Sequence, residues 1–138
     1  MEYISTRNTQ KTFSFKDVFL KGLAPDGGLF VPKKIPLYTY QELEKLRNLS
    51  YNELAAKIIL KFCNDEFNEI EIRDLVENSY KNFRVNNVVE IKKIGKINLL
   101  ELFHGPTLAF KDIAMQVIGN MYEKILEKNN LKVNIVVA

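Results

Sequence analysis

His104-Gly105-Pro106-Thr107-Leu108-Ala109-Phe110-Lys111-Asp112-Ile113-Ala114-Met115-Gln116 is the stretch on which the fold turns, a Gly-Pro loop that runs straight into a helical pattern. The pattern predicts a helix from Leu108 to Lys128. At about 100° per residue, Asp112, Gln116, Gly119, Asn120, Glu123 and Glu127 share one polar stripe. Lys111 is not on it. It points about 130° from the centre of that stripe, in line with Met115, Ile118 and Tyr122. It also stands in the first turn, where the helix dipole disfavours a cation. Two readings account for it. Either the methylenes lie on the apolar face while the ammonium snorkels to water, or desolvation and the positive helix end favour the neutral amine, freeing it as a nucleophile or base.

Working outward, Val88 to Ile94, a Gly95-Lys96 turn and Ile97 to Phe103 read as a hairpin. Asn129-Asn130 ends the long helix, and Lys132 to Ala138 reads as a buried strand of the parallel-sheet type. Further upstream, Thr39/Glu42, Ser50/Glu53 and Asn68/Glu71 each place a capping residue three before an acid. They predict helices over Tyr40–Arg47, Tyr51–Cys63 and Glu69–Phe83. Leu54, Ile58 and Phe62 form the apolar face of the second, and Ile72, Leu75, Val76 and Tyr80 that of the third. Ser14 and Asp17 open a short helix, Phe15 to Lys21, that Gly22 ends. Tyr3 to Thr6 pairs with the strand that follows the Asp26-Gly27-Gly28 turn. The expected fold is α/β: a small N-terminal α/β domain over residues 1–87, with short strands and about four helices, then the first β-α-β elements of a second domain over 88–138. The final strand has no turn or cap after it, which reads as the front of a longer protein.

The chain has 138 residues, 46% hydrophobic and 27% charged, which is globular composition. No apolar run is long enough for a membrane span, and Met1 to Gln10 lacks the apolar region of a signal peptide, so a cytoplasmic location is expected. Cys63 and His104 are each the sole residue of their type. No metal site is expected from them; Cys63 lies on an apolar helix face as a small hydrophobe. The net charge of +3 is spread as an acidic middle between two basic flanks. Lys92, Lys93 and Lys96 have no interleaved aromatics and read as a solvated hairpin, not as a nucleic-acid surface.

Three ordered stretches resemble the threonine synthase family: Ser5-Thr6-Arg7, then Gly22 through Pro32 (Gly-Leu-Ala-Pro-Asp-Gly-Gly-Leu-Phe-Val-Pro), then Glu101 through Asp112. The lysine loop alone is shared with the wider pyridoxal-phosphate group that includes the tryptophan synthase β chain. Asn8 departs from the glycine common there. The resemblance implies a truncated fold-type II enzyme that uses pyridoxal 5'-phosphate (PLP) to convert O-phospho-L-homoserine and water to L-threonine and phosphate. It implies that Lys111 carries the cofactor as a Schiff base and, once displaced, moves protons at the α and β carbons. It also implies that the strand from Lys132 feeds a glycine-rich loop that cradles the cofactor phosphate. That loop lies beyond Ala138, so the isolated chain is expected to be inactive and, with apolar faces uncovered, to self-associate.

Other residues carry less. His104 reads as a hydrogen-bonding residue of its turn before a catalytic one, Thr107 as a helix cap and Asp112 as a favourable first-turn acid. Arg7 and the Asp26-Gly27-Gly28 loop read equally as a cover over a phosphorylated substrate or as a salt bridge and turn. Two alternatives stand beside the leading one: a threonine synthase-like phospho-lyase that eliminates phosphate without making threonine, and a non-catalytic homologue acting as a binding or assembly module.

Overall fold

The computed structural model describes residues 1–136; Val137 and Ala138 lie outside the described residues. Two compact units form, Met1–Asp74 and Leu75–Ala138. Among the described residues no helix is long and apolar enough to cross a membrane.

The first unit opens with a three-stranded antiparallel sheet ordered β2-β1-β3, from β1 (Tyr3–Ser5), β2 (Thr12–Phe13) and β3 (Phe30–Pro32). The expected pairing of the first strand with the one after the Asp26-Gly27-Gly28 turn is present, with Tyr3 opposite Pro32, Ile4 opposite Val31 and Ser5 opposite Phe30. β2 is too short to leave a periodic signal. Pro32 sits at the end of its strand, where the missing N–H costs no ladder bond. Helices α1 (Phe15–Lys21), α2 (Tyr40–Leu46) and α3 (Tyr51–Cys63) follow. Each begins with a reciprocal capping box: Ser14 with Asp17, Thr39 with Glu42, Ser50 with Glu53. α4 (Glu69–Tyr80) begins the same way, Asn68 Oδ1 accepting from Glu71 N–H at 3.0 Å and Glu71 Oε2 from Asn68 N–H at 3.0 Å. α4 stops short of the expected Phe83, in a turn closed by Phe83 N–H to Tyr80 C=O at 3.0 Å.

Tyr3, Val18, Ala24, Ala56, Cys63, Phe67 and Ile72 make the core of this unit. On α3 the buried positions are Ala56 and Cys63; of the expected Leu54/Ile58/Phe62 face, Ile58 is 39% exposed and the other two are half-buried. The small Ala56, not the larger residues of the expected face, is the one turned fully inward at mid-helix. Tyr3 donates to Phe62 C=O at 2.6 Å and stacks near Phe15, which in turn meets Phe67. Burial pushes the Cys63 thiol up to about 12, so it behaves as a hydrophobe.

The second unit holds the end of α4, a hairpin of β4 (Glu90–Ile94) and β5 (Ile97–Glu101), and α5 (Asp112–Asn129). Gly95 at φ +61 makes the turn. The hairpin starts two residues later than expected because Val88 is at φ +63, outside the strand region. Leu75, Val76, Tyr80, Val88, Val117, Met121 and Ile125 are buried. α4 meets α5 through polar ties: Asn120 donates to Ser79 Oγ at 3.0 Å, and Tyr80 to Ile113 C=O at 3.0 Å.

The strand expected over Lys132–Ala138 is not formed in its described part. Residues 131–136 take no regular structure and are exposed, Val136 at 94%. An isolated strand has no ladder to join, so apolar character alone does not make one.

Asp17 is held below the usual carboxylate range, chiefly by the Ser14 hydroxyl. Its contribution to stability is therefore complete above the unfolded value of about 3.9 and is lost as pH falls through the lower folded value. Ser14→Ala is expected to cost about 1 kcal/mol in urea unfolding at pH 7 and to flatten the acid limb of the stability profile.

Candidate functional site

The first motif closes into a knot within the N-terminal unit. Buried Ser5 donates from Oγ to Asp26 Oδ1 at 2.7 Å and accepts from Arg7 N–H at 3.1 Å. Asp26 Oδ1 also accepts from Gly28 N–H at 2.9 Å, and Thr6 Oγ1 accepts from Leu29 N–H at 3.0 Å. Arg7 Nη1 reaches the Asp26 backbone carbonyl at 3.1 Å, a hydrogen bond in place of the expected salt bridge. Gly27 turns the chain at φ +77, and a Cβ on Gly28 would overlap the Ser5 hydroxyl. The Ser5 hydroxyl, then the Gly28 N–H, hold Asp26 below the usual carboxylate range. Asn8 makes its own turn, Oδ1 accepting from Gln10 N–H at 3.0 Å.

The second cluster leads into the lysine. His104 Nε2 donates to Glu101 Oε2 at 3.0 Å, and the His104 carbonyl accepts from Arg84 N–H at 2.9 Å. Glu101, at 9% exposure, gave no signal in the sequence beyond a polar strand end. Glu90, Glu101 and His104 bring one ligand atom each within 4.8 Å of one another. Lys92 Nζ lies 3.5 Å from Glu101 and 3.7 Å from Glu90, so an ammonium already meets the charge of this cluster.

α5 starts four residues after the expected Leu108. Lys111 is therefore the N-cap residue, at φ −61 and ψ −24 with no side-chain cap bond, and not a first-turn residue. Leu108 takes φ +63, which no helical residue can. The wheel reading also shifts. Val117, Met121 and Ile125 form the buried stripe with Asp112, which is 3% exposed, while Met115 is 57% exposed. Packing onto the small Ser79 selected the Gln116/Asn120 side, which hydropathy alone marks as outward. Lys111 is exposed, so the desolvation expected of it is not supplied by the described residues.

Thr107 is no N-cap. Its N–H and hydroxyl donate to the two oxygens of Asp112, at 2.7 and 2.8 Å. The first-turn N–H groups of Asp112, Ile113 and Ala114 go to the carbonyls of Ala109, Phe110 and Lys111, so this helix start is not a phosphate cradle. Lys111 is an accessible primary amine, a group that can bind a carbonyl compound covalently.

Comparison with known proteins gives the family. The threonine synthase N terminus family matches residues 2–80, and the chain belongs to that family. Threonine synthase of Schizosaccharomyces pombe is 41% identical over 132 residues, covering 94% of this chain and 26% of that protein. Threonine synthase-like 2 of Xenopus laevis is 34% identical over 140 residues, covering all of this chain and 30% of that one. The crystal structure of PLP-bound threonine synthase from Brucella melitensis superposes with a TM-score of 0.89 at 37% identity, over 94% of this chain and 28% of that one. The chain thus spans less than a third of the length of these relatives.

Gly28→Ala is expected to lower stability by about 1–3 kcal/mol by forcing Ser5 off Asp26. Gly119→Ala meets open space on α5 and is expected to raise it by about 0.5–1 kcal/mol. Urea midpoints of the two variants check the pair.

Proposed function

We propose that the chain is the lysine-bearing N-terminal part of a PLP-dependent lyase that converts O-phospho-L-homoserine and water to L-threonine and phosphate. The observation that carries the proposal is an exposed lysine, its side chain without hydrogen bond or ion pair among the described residues, held at the N-cap of α5 in a chain of this family. Lys111 Nζ would hold the cofactor, which when bound supplies an electron sink for a substrate carbanion. Freed of it, the Lys111 amine would take and return protons at the α and β carbons of the substrate. Glu101 fixes the ring of His104 and so the entry to the loop. In this reading residues 1–87 are the family's N-terminal domain and 88–138 the beginning of the cofactor domain. The protein works in the cytoplasm on a small molecule, with neither nucleic acid nor membrane as partner.

The likeness to the Xenopus laevis threonine synthase-like 2 supports a second reading, a phospho-lyase. The product separates the two: threonine for the first, 2-oxobutyrate for the second.

Incubation of the chain with PLP, borohydride reduction and peptide mass spectrometry should label Lys111 selectively and saturably over the other fifteen lysines. Labelling scattered over surface lysines would mean that residues 1–138 do not form the cofactor site by themselves. The 138-residue chain alone is expected to form no threonine, as read by amino-acid analysis. Ile91, Ile94, Ile97, Leu99 and Leu100 are open on the hairpin, so sedimentation velocity is expected to show self-association that grows with concentration.

A further inference from the structure

We infer that Thr107 and Asp112 are positioning residues for Lys111, forming a clasp that sets the direction of the lysine while leaving its side chain unencumbered. The inference rests on the reading of Lys111 as the cofactor lysine and adds to it the device that aims the amine.

The start of α5 differs from every other helix start described here. α1, α2 and α3 leave extended N-cap residues at ψ 164, 160 and 162 and close a reciprocal box on a Ser or Thr; α4 closes one on Asn68. α5 has a lysine at its N-cap in the helical region and no side-chain cap. The chain uses the standard device four times and abandons it where Lys111 stands.

In its place is a tie that runs backward. Asp112 is 3% exposed, and a carboxylate so far from water must have donors. Both come from one residue, Thr107, through its N–H at 2.7 Å and its hydroxyl at 2.8 Å. The bond pair closes a ring over residues 107–112, and Lys111 lies inside that ring, next to the anchor. Gly105 completes it: a Cβ there would run into Cβ and Oδ2 of Asp112, so only glycine lets the loop come this close. Leu108 is held at φ +63 within the ring, a conformation a leucine keeps only when its surroundings over-determine it. A local strain, a buried carboxylate with no cation on it among the described residues and an obligatory glycine thus converge on one eight-residue segment, 105–112. No feature of helix initiation requires them, since α1 to α4 start without any.

The geometric consequence is specific. With Thr107 and Asp112 joined, the backbone at Lys111 is fixed from both sides, and its carbonyl is engaged by Ala114 and Met115 N–H at 3.1 and 2.8 Å. The side chain itself stays exposed. Among the described residues Lys111 makes no ion pair with Asp112, whose buried carboxylate is turned onto Thr107. A directed amine with no ion pair among the described residues is the arrangement a covalent attachment point needs.

The test uses the 138-residue chain and PLP with borohydride reduction, comparing Thr107→Val, Thr107→Ser and Asp112→Asn with the parent. Loss of a hydrogen bond to a carboxylate is expected to lower the Lys111 labelling rate about tenfold in Thr107→Val and in Asp112→Asn. Thr107→Ser, which keeps the hydroxyl, should restore it, and the double variant should be no slower than either single one. Labelling at Lys92 and Lys124 and the far-ultraviolet circular dichroism should not move, which separates positioning from general loss of structure. Should Asp112→Asn unfold, Thr107→Val decides, since it retains the N–H bond. Selective labelling of Lys111 in the parent with unchanged rates in folded variants would overturn the clasp alone. Unselective labelling already in the parent would overturn the clasp as a device that aims the amine within residues 1–138, while leaving the family reading in place.

Discussion

A carboxylate shielded from water persists only if both its oxygens find donors, and Asp112 shows what that requirement does to a chain. Its oxygens are served by the N–H and hydroxyl of Thr107. This pulls the Gly-Pro loop against the first residue of α5, demands glycine at 105 and holds Leu108 in the left-handed region. The late start of the helix, and the place of Lys111 at its cap, follow from that pair of bonds. The Ser5–Asp26 tie does the same for the N-terminal motif, where a buried hydroxyl and a carboxylate fold the Asp26-Gly27-Gly28 turn onto the first strand.

What could be read in the residues themselves was largely what is local. The four capping boxes placed α1, α3 and the start of α4 to the residue and α2 nearly so, because a Ser, Thr or Asn three before an acid satisfies two N–H groups within one turn. Ile72, Leu75, Val76 and Tyr80 were legible as buried for the same reason: spacing on one helix needs no knowledge of a partner. The misplacements came where a distant or unusual contact decides. Val88 and Leu108 are branched residues at positive φ, which no propensity scale anticipates. Asp112 looks like a solvent-facing helix acid until the loop folds over it. Apolar residues 132–136 spell a strand, but a strand exists only beside another.

The candidate site divides along the same line. Lys111 stood out because it broke the rule of its own helix, and the motif around it pointed to the family. Its surroundings were not legible. The expected apolar bed beneath it is replaced by open exposure, and the residues that organise the loop, Glu101 and Asp112, look unremarkable in the sequence. An acid at a strand end or in a first helical turn is ordinary; its burial is a property of the assembled loop.

Cys63 has a use that its inertness hides. The only thiol in the chain has no exposed surface and sits wholly within the N-terminal unit, with its proton held up to about 12 by burial. A thiol reagent can react with it only while that unit is open. The molecule therefore carries a built-in clock for the opening of one unit, silent to events confined to the other.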